Sequence, residues 1–410
     1  MQMQMLDLTD EQKQMRQLAR DFVDKEVIPF ISRDREREWT APASERMPWE
    51  LLKKADKLGL RALGVPEKYG GIKLEDQAQT FAIIAEELAR GDSGFADIMG
   101  QVWKVPVLLS NIMPEHFQDE WFPKFMEDPT FLIAHCLTEP RGASDRWLPY
   151  NVPEAAMQTK AVLKDGHWVI NGRKQFITNG YDAKLYVVYA NTNPKVGIQQ
   201  GTSSFLIPRD TPGLIPVRTN EKMGARYMNN GEILFDNCRI PEDHLLVKDE
   251  ALKKAGVYFR PGKILQAAKN LGVGVAAFEE TAAYVQKYVQ GGKIIIKHQA
   301  IANTLADMAI KIETTRAFTR YAARALDNDT SDAQQLCMMA KVYAADAIFE
   351  VAKKAMEIHA GNGVMIEVGI EKHFRDAALF LHMDGTQDIH RFKIIRSMFP
   401  ETAGQYAGND

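Results

Sequence analysis

The apolar residues at the start of the chain follow the period of a helix. After position 9 they recur three or four residues apart, on one helical face: Met15, Leu18, Ala19, Phe22 and Val23. Just before them, "TDEQ" fits a capping box in which Thr9 and Gln12 close the first turn. Similar helical runs continue to about residue 127. The pattern therefore predicts an N-terminal helical domain over residues 1–130.

A different period begins near residue 131. Short alternations of apolar and polar residues surround Asp165-Gly166 and Asn171-Gly172, two dipeptides that favour tight hairpin turns. Further alternating runs follow in "LYVVYANT", "SSFLIPRD" and "GEILFDNCRI", and prolines separate them. Residues 131–247 are therefore predicted to form a small antiparallel β domain, with both dipeptides at hairpin turns.

Long helical periods return after residue 250. Two stretches, "HQAIANTLADMAIKIETTRAFTRYAARAL" and "SDAQQLCMMAKVYAADAIFEVAKKAMEIHAGNG", each predict a helix of roughly 25 residues without heptad regularity, which favours a bundle. Ser331 and Gln334 fit a second capping box at the start of the latter. The predicted fold class is α+β and mostly α, with a C-terminal four-helix bundle over residues 248–410.

Composition narrows the classes of function. The 410 residues are 45% hydrophobic and 26% charged, the formal net charge is −3, and basic residues form no stripe that would indicate a nucleic-acid surface. Cys136, Cys238 and Cys337 are too few and too far apart for a disulfide framework, which predicts a reducing cytoplasm. No run reaches the roughly 18 apolar residues of a membrane span, and the start of the chain lacks a signal-peptide pattern.

Two loops carry residue types that suit a ligand. The segment "CLTEPRGASD" at 136–145 places small hydroxyl residues and glycine beside a Glu-Pro turn, and "FITNG" occupies 176–180. Small side chains let backbone N–H groups approach a planar or phosphorylated ligand. The same residues also form ordinary capped turns. Composition alone leaves both interpretations open.

Together these segments resemble the motifs of the acyl-CoA dehydrogenase family. The loop from Thr138 to Asp145 is similar to the family's T-E-P-x-x-G-S-D loop, and the segment from Phe176 to Gly180 to its W-I-T-N-G strand, with Phe176 in place of Trp. Further matches cover nearly the whole chain: "VPEKYGG", "DTPG", "KMGAR", "HQAI", "RDA" and "DGT". The resemblance implies two helical domains flanking a β domain, a homotetramer built as a dimer of dimers, FAD bound between subunits, and oxidation of an acyl-CoA thioester.

The resemblance also implies a set of cofactor-binding residues. They are Leu137, Thr138, Gly142, Ser144, Phe176, Thr178, Gly361, Gly363 and Thr386. The family's R-x-x-F-G segment, which reaches FAD across a subunit interface, reads Tyr288, Gly291 and Gly292 here, so Lys293 is the nearest cation for the pyrophosphate. Reduced flavin would pass its electrons to an electron-transferring flavoprotein or a similar acceptor.

The implied reaction needs a base, and the sequence offers two candidates. In "LHMDGTQDIHRF", Asp384 stands where the family commonly has Glu before Gly-Thr, so its carboxylate lies on the order of 1.5 Å further back. A misplacement of ~1 Å can slow catalysis ~100-fold. The position where some relatives place the base is Gly262 here, whereas Asp97 matches positions of the acyl pocket. Either Asp384 takes the α proton, or Asp97 takes a γ proton in a 1,4-elimination, while hydride passes to flavin N5. Desolvation by the ligand is expected to raise the pKa of the base.

The resemblance places several residues near the substrate. They are Ser144, Ala96, Phe259, Lys263, Gly385 and Arg391, with the backbone N–H after the base holding the thioester oxygen. Ala96 stands where glutaryl-type members carry Arg, which argues against a dicarboxylic substrate unless Arg90 or Lys104 serves instead. A pocket Asp beside an altered Glu resembles relatives that oxidise cyclic, partly unsaturated acyl-CoA esters. A cyclic acyl-CoA is therefore predicted, with a branched- or straight-chain acyl-CoA as the alternative.

Two functions of other classes compete with this interpretation. His382, Asp384 and His390 have the residue types of a two-His, one-carboxylate iron site, but residues this close in sequence cannot all face one ion unless Gly385 reorients the chain. A flavin-free, acyl-CoA-binding scaffold on the same fold is the second alternative, since the FAD segment is altered. The retained Thr138, Thr178 and Thr386 argue against it. His382 and His390 are predicted to be bystanders.

Overall fold

The N-terminal part of the chain is helical, as predicted. The computed structural model describes residues 8–142, 144–147 and 152–399. Its first helices are α1 (Asp10–Phe22), α2 (Ile28–Arg33), α3 (Arg37–Thr40), α4 (Trp49–Lys57), α5 (Gln77–Gly91), α6 (Ser93–Ile112) and α7 (Glu115–Glu127). The capping box at α1 is confirmed, because the side chains of Thr9 and Gln12 each accept a hydrogen bond from the other's backbone N–H at 3.2 Å.

The middle of the chain forms one main sheet. Its strands are β1 (Ile133–Cys136), β2 (Lys160–Lys164), β3 (His167–Thr178), β4 (Leu185–Asn191), β5 (Thr202–Pro208), β6 (Leu214–Thr219), β7 (Asn230–Pro241) and β8 (Leu245–Val247). The order across the sheet is β6-β7-β3-β2-β4-β5-β8, and β1 runs parallel to β4 beside that path. A short helix, α8 (Ile198–Gly201), leads into β5. Most pairings are antiparallel, which confirms the predicted class of domain.

Only one of the two predicted hairpin turns is present. Asp165 and Gly166 join β2 to β3 with φ of 51° and 70°, as a two-residue turn requires. The prediction for Asn171-Gly172 is wrong, because both residues lie within β3, where the register against β7 shifts as in a β-bulge. A Cβ at Gly172 would lie 2.5 Å from the Thr159 Cα. The glycine thus serves a close backbone approach rather than a chain reversal.

The C-terminal part is a bundle of long helices. Its helices are α9 (Ala251–Lys254), α10 (Gly256–Val285), α11 (Gln299–Asp327), α12 (Ala333–His359), α13 (Ile370–Phe380) and α14 (Gln387–Met398), and a small hairpin, β9 (Val289–Gln290) and β10 (Lys293–Ile294), follows α10. Helix α10 packs against α11 and α12 and also against α5 and α6. The predicted capping box at Ser331 is wrong, since Asp332 is the N-cap residue of α12 and its carboxylate accepts from the Thr330 hydroxyl at 2.7 Å instead.

A buried group of charges joins the three regions; we refer to it as the junction cluster. The Lys372 ammonium lies 3.3, 2.9 and 2.7 Å from carboxylate oxygens of Glu38, Asp92 and Asp376. Asp376 also accepts the backbone N–H of Ala225, in the segment between β6 and β7, at 2.7 Å. Burial alone would lower the pKa of Lys372, but the surrounding carboxylates outweigh it and raise that pKa. The cluster therefore holds the N-terminal helices, the middle domain and the bundle together.

None of the helices in the described ranges combines the length and the apolar character that a membrane crossing requires.

Candidate active site

A cavity of about 570 Å³ lies where the three regions meet. The loop after β1 and the end of β3 form one wall, α6 and the start of α10 form another, and the segment between α13 and α14 closes it. It is lined by ten of the residues that the sequence predicted for the site: Leu137, Thr138, Gly142, Ser144, Phe176, Thr178, Phe259, Asp384, Gly385 and Thr386. Segments up to about 250 residues apart in sequence thus converge on one space.

The wall from the middle domain presents an aromatic face. Phe176 has φ of 59°, which is unusual for a bulky residue, and its side chain is 56% exposed at the cavity. The N–H of Gln175 donates to the Thr138 carbonyl at 2.9 Å, which ties this strand end to the loop after β1. Strained backbone of this kind collects at ligand sites. An exposed ring beside the Thr138 and Thr178 hydroxyls suits a planar, polar ring system such as a flavin.

Glu139 stabilises this wall from inside the protein. Its buried carboxylate accepts from the Lys174 ammonium at 2.9 Å and from the backbone N–H groups of Gln158 and Thr159 at 2.7 and 2.9 Å. Burial would raise the pKa of Glu139, but Lys174 and these hydrogen bonds hold it below its ordinary value. The Glu of this loop therefore fixes the loop's shape, and the neighbouring Thr138 faces the cavity.

Asp384 presents a carboxylate to the cavity from a tight turn. Its φ is 54°, that of Gly385 is 100°, and 27% of the Asp384 side chain is accessible. The Oδ2 atom accepts from Gln266 Nε2 at 3.0 Å and lies 3.7 Å from the Lys104 ammonium. A Cβ built on Gly262 would lie 3.8 Å from the same oxygen. The two positions that the sequence identified for a base thus meet at one point.

The charges around Asp384 favour its ionised form. Burial would raise the pKa of this carboxyl group, but the ammonium groups of Lys104, Lys263 and Lys269 outweigh burial and hold the pKa far below its ordinary value. The carboxylate is therefore ready to accept a proton but intrinsically a weak base.

Three side chains hold the peptide groups that follow Asp384. The Lys263 ammonium donates to the Asp384 carbonyl at 3.1 Å, His390 Nε2 lies 2.9 Å from the same oxygen, and Lys341 donates to the Gly385 carbonyl at 2.9 Å. Burial, followed by Lys263 and Lys341, lowers the pKa of His390 to about 2, so the ring is neutral and donates through Nε2. The prediction that His390 is a bystander is therefore wrong. His382 lines the cavity.

Asp97 lies apart from the cavity wall. It is buried on α6 and forms an ion pair with Lys269 of α10. Burial, offset only in part by Lys269, raises the pKa of Asp97. Its second carboxylate oxygen has no hydrogen-bond partner within the described part of the chain. Of the two candidate bases, Asp384 is the one that faces the open space.

The sequence interpretation missed most of the lysines of this site. Lys269 and Lys341 were not assigned to the site, and Lys104 was considered only for a dicarboxylic substrate, yet all three are buried around Asp384 and Asp97. A usable signal existed, because Lys104 interrupts the apolar run "VWKVPVLL", and a lysine in such a run requires a polar partner once it is buried.

Seven predicted site residues are not among those that line this cavity: Asp97, Ala96, Lys263, Lys293, Arg391, Gly361 and Gly363. Lys293 and the glycines lie near the far ends of α10 and α12, where Tyr284 stacks on Tyr288 and on His359 with ring centroids 4.8 and 4.1 Å apart. At 1.5 Å per residue, Tyr284 is roughly 33 Å along α10 from Gly262. Lys293, Gly361 and Gly363 therefore lie in a region of the fold that is separate from the cavity. Over the described residues, no group of three His, Cys, Asp or Glu side chains is arranged to hold a metal ion.

Comparison with known proteins identifies the family. Models of the acyl-CoA dehydrogenase N-terminal, middle and C-terminal domains match residues 9–128, 134–238 and 255–399. The chain is 32% identical over 399 residues to an acyl-CoA dehydrogenase of Bacillus subtilis, covering 96% of this chain and 100% of that protein. It is also 32% identical over 396 residues to a cyclohex-1-ene-1-carbonyl-CoA dehydrogenase of Geobacter metallireducens, covering 96% and 99%. Butyryl-CoA dehydrogenase from Megasphaera elsdenii superposes with a TM-score of 0.85 at 27% identity, covering 96% and 99%.

The chain therefore belongs to the acyl-CoA dehydrogenase family. It is an oxidoreductase and an FAD-binding flavoprotein, and the fold predicted from its motifs is confirmed.

Proposed function

We propose that the protein oxidises a cyclic acyl-CoA, with Asp384 as the base that removes the α proton. The observation that carries the proposal is the meeting, in one cavity, of an ionised carboxylate on a fixed turn and the exposed ring of Phe176. A cyclic acyl group is supported by the shortened base and by the similarity to a cyclohexene-carbonyl-CoA dehydrogenase. A branched- or straight-chain acyl-CoA is the alternative.

Asp384 is preferred to Asp97 because of access. The Asp384 carboxylate faces the cavity, whereas Asp97 is buried and paired with Lys269. Removal of the α proton by Asp384 corresponds to a 1,2-elimination, and the 1,4-elimination would require Asp97 to leave its ion pair. When bound, FAD supplies the acceptor for the hydride at N5. Exclusion of water by the substrate would strengthen Asp384 as a base.

Gly385 is the proposed donor to the thioester oxygen. Its N–H belongs to the same peptide group as the Asp384 carbonyl, which accepts from Lys263 and His390. Hydrogen bonds to a peptide carbonyl polarise the group and strengthen its N–H as a donor. Lys263 and His390 would thereby help to stabilise the negative charge that develops on the thioester oxygen.

The residues at the far ends of α10 and α12 support a multi-subunit enzyme. Within one chain, Lys293, Gly361 and Gly363 lie near the ends of α10 and α12 and do not line the cavity, so we propose that they contact FAD bound to a neighbouring subunit of a homotetramer. An electron-transferring flavoprotein is the proposed acceptor. A cytoplasmic location is supported by Cys136, Cys238 and Cys337, which are buried and unpaired.

Anaerobic mixing with a panel of thioesters tests the proposal. The flavin absorbance should bleach fastest with an alicyclic acyl-CoA, compared with branched and straight-chain acyl-CoA esters. Asp384→Asn should slow bleaching by roughly 100- to 10,000-fold, because the general base is lost. The matched variant Asp97→Asn should keep most of the wild-type rate of flavin bleaching. A panel in which no ester bleaches the flavin would refute the dehydrogenase, and full activity in Asp384→Asn would exclude Asp384 as the base.

A further inference from the structure

The Lys104 ammonium is buried next to Asp384, beside the cavity but not among the residues that line it, and it donates no hydrogen bond to a described residue. Its side chain, on α6, is 2% exposed. Within the described part of the chain its neighbours are Asp384 Oδ2 at 3.7 Å, beyond hydrogen-bond reach, and the ring of Tyr258, whose centroid lies 4.6 Å away. An ammonium group carries three N–H donors, and leaving them unpaired away from water is unfavourable. The geometry points to an acceptor that the described part of the chain does not provide.

The charges around Lys104 are not balanced. Among the described residues, the ammonium groups of Lys104, Lys263 and Lys269 surround the carboxylates of Asp97 and Asp384, so this group holds one more cation than anion. Gln101, one turn before Lys104 on α6, lines the cavity and accepts from the Tyr258 hydroxyl at 2.8 Å, which leaves its amide group as a further donor. This end of the site therefore favours a ligand that accepts hydrogen bonds.

We propose that the acyl group of the substrate carries an oxygen substituent, namely a carboxylate, an oxo group or a hydroxyl, which accepts a hydrogen bond from Lys104. The inference rests on the proposed function and makes its substrate class more specific. A plain hydrocarbon ring would leave the ammonium unpaired, whereas an oxygen acceptor would satisfy it.

The position of Lys104 restricts where the oxygen lies on the acyl group. The Asp384 carboxylate must approach the α carbon, and Lys104 lies 3.7 Å from that carboxylate. The oxygen therefore belongs a few bonds from the α carbon and not at the end of a long chain. When the substituent binds Lys104, the ammonium is drawn from Asp384 and its stabilisation of the ionised carboxylate weakens. Recognition of the substituent thus makes Asp384 a stronger base.

The test compares thioesters that share one ring. Wild-type holoenzyme is mixed anaerobically with cyclohexanecarbonyl-CoA and with the same thioester bearing a carboxylate, an oxo group or a hydroxyl on the ring carbons nearest the thioester. At least one oxygen-bearing ester should exceed the unsubstituted ester in kcat/KM by roughly 10- to 100-fold, as expected for a hydrogen bond to a charged group. The best substituent shows whether the oxygen is anionic or neutral.

Two variants assign the preference to Lys104. Lys104→Met keeps the length of the side chain but removes the donors. In this variant, kcat/KM for the oxygen-bearing esters and for the unsubstituted ester should differ by no more than about threefold. Lys53→Met, at an exposed position of α4, should leave the preference unchanged. A wild-type preference for the unsubstituted ester, or a preference that survives in Lys104→Met, would overturn the inference while the dehydrogenase activity stands. If Lys104→Met does not fold, Lys104→Gln, which keeps a neutral donor, should show a reduced preference. In this experiment, an unbleached flavin with every ester would count against the dehydrogenase activity itself.

Discussion

Two lysines of this protein are buried beside carboxylates, but their surroundings differ. In the junction cluster, the Lys372 ammonium lies within 3.3 Å of oxygens from three carboxylates. At the active site, Lys104 lies 3.7 Å from one carboxylate and donates no hydrogen bond to any described residue. The Lys104 side chain is 2% exposed and that of Lys372 13%. The difference separates a charge that stabilises the fold from one that lacks a hydrogen-bond acceptor within the described part of the chain.

The comparison shows how buried charge can be interpreted. Burial of an ammonium group is unfavourable unless ion pairs and hydrogen bonds offset it. The junction cluster provides that offset within the chain, whereas the cluster around Lys104 has a surplus of donors. An ammonium group whose acceptors lie within the chain indicates architecture, and one beside a cavity that lacks a hydrogen-bond acceptor indicates a binding site.

The largest effect is expected when Lys372 is removed. Lys372→Met leaves Glu38, Asp92 and Asp376 close together without their shared cation, so the free energy of unfolding should fall by about 3–5 kcal/mol. Thermal or denaturant unfolding of the holoenzyme measures the change. Lys104→Met is the matched control and should lose much less stability, since Lys263, Lys269 and Gln266 still surround Asp384. Equal losses in both variants would remove the distinction between the clusters.

A smaller effect, on catalysis, is expected at Lys263. Lys263→Met removes a hydrogen bond to the Asp384 carbonyl and should lower kcat roughly 10-fold, about the contribution of one hydrogen bond to a charged group. The carbonyl stretch of a bound enoyl-CoA should move toward its value in water, because the Gly385 N–H becomes a weaker donor. Lys263→Arg should restore part of both signals. A slower enzyme with an unshifted carbonyl stretch would show that Lys263 acts only on structure.

The smallest effect concerns pH. Burial, followed by Lys263, lowers the pKa of Lys341 to about 7, whereas an unfolded lysine keeps its proton to roughly pH 10.4. Between these values the unfolded state binds more protons, so stability should rise with pH. From pH 7.5 to 8.5 the gain should be about 1 kcal/mol. In Lys341→Met, Tm should rise less between pH 7.5 and pH 8.5 than it does in the wild type. An equal rise in both proteins would contradict the lowered pKa.

Local sequence signals predicted the fold where a short segment determines its own structure. The Thr9–Gln12 capping box and the Asp165-Gly166 turn depend on neighbouring residues, and both are present. Asn171-Gly172 failed because β7 pairs with β3 through that point, and the glycine is required for the approach of Thr159. Ser331 failed because the Asp332 carboxylate bonds Thr330 and the helix begins later. Tertiary contacts outweighed local preference in both cases.

The candidate site divides in the same way. Motif residues such as Thr138, Phe176 and Asp384 could be located from the sequence, and the structure brings them to one cavity. The effect of neighbouring charges on the pKa of Asp384 could not be predicted, because Lys104 and Lys263 belong to different helices and approach Asp384 only after packing. For the same reason, the expectation for the pKa of the base considered ligand desolvation but not these neighbouring charges.

The glycine at position 262 has a consequence for the history of such an enzyme. A methyl group there would make ordinary contacts, 3.6 Å from Lys104 and 3.8 Å from Asp384, so a longer side chain on α10 would extend toward the same region. A carboxylate could therefore arise at 262 before the one at 384 is lost, with no change of backbone in between. In such a lineage, the base can move from the turn before α14 to helix α10 through an intermediate enzyme that has both carboxylates. The reactive oxygen would stay in the same region of the site.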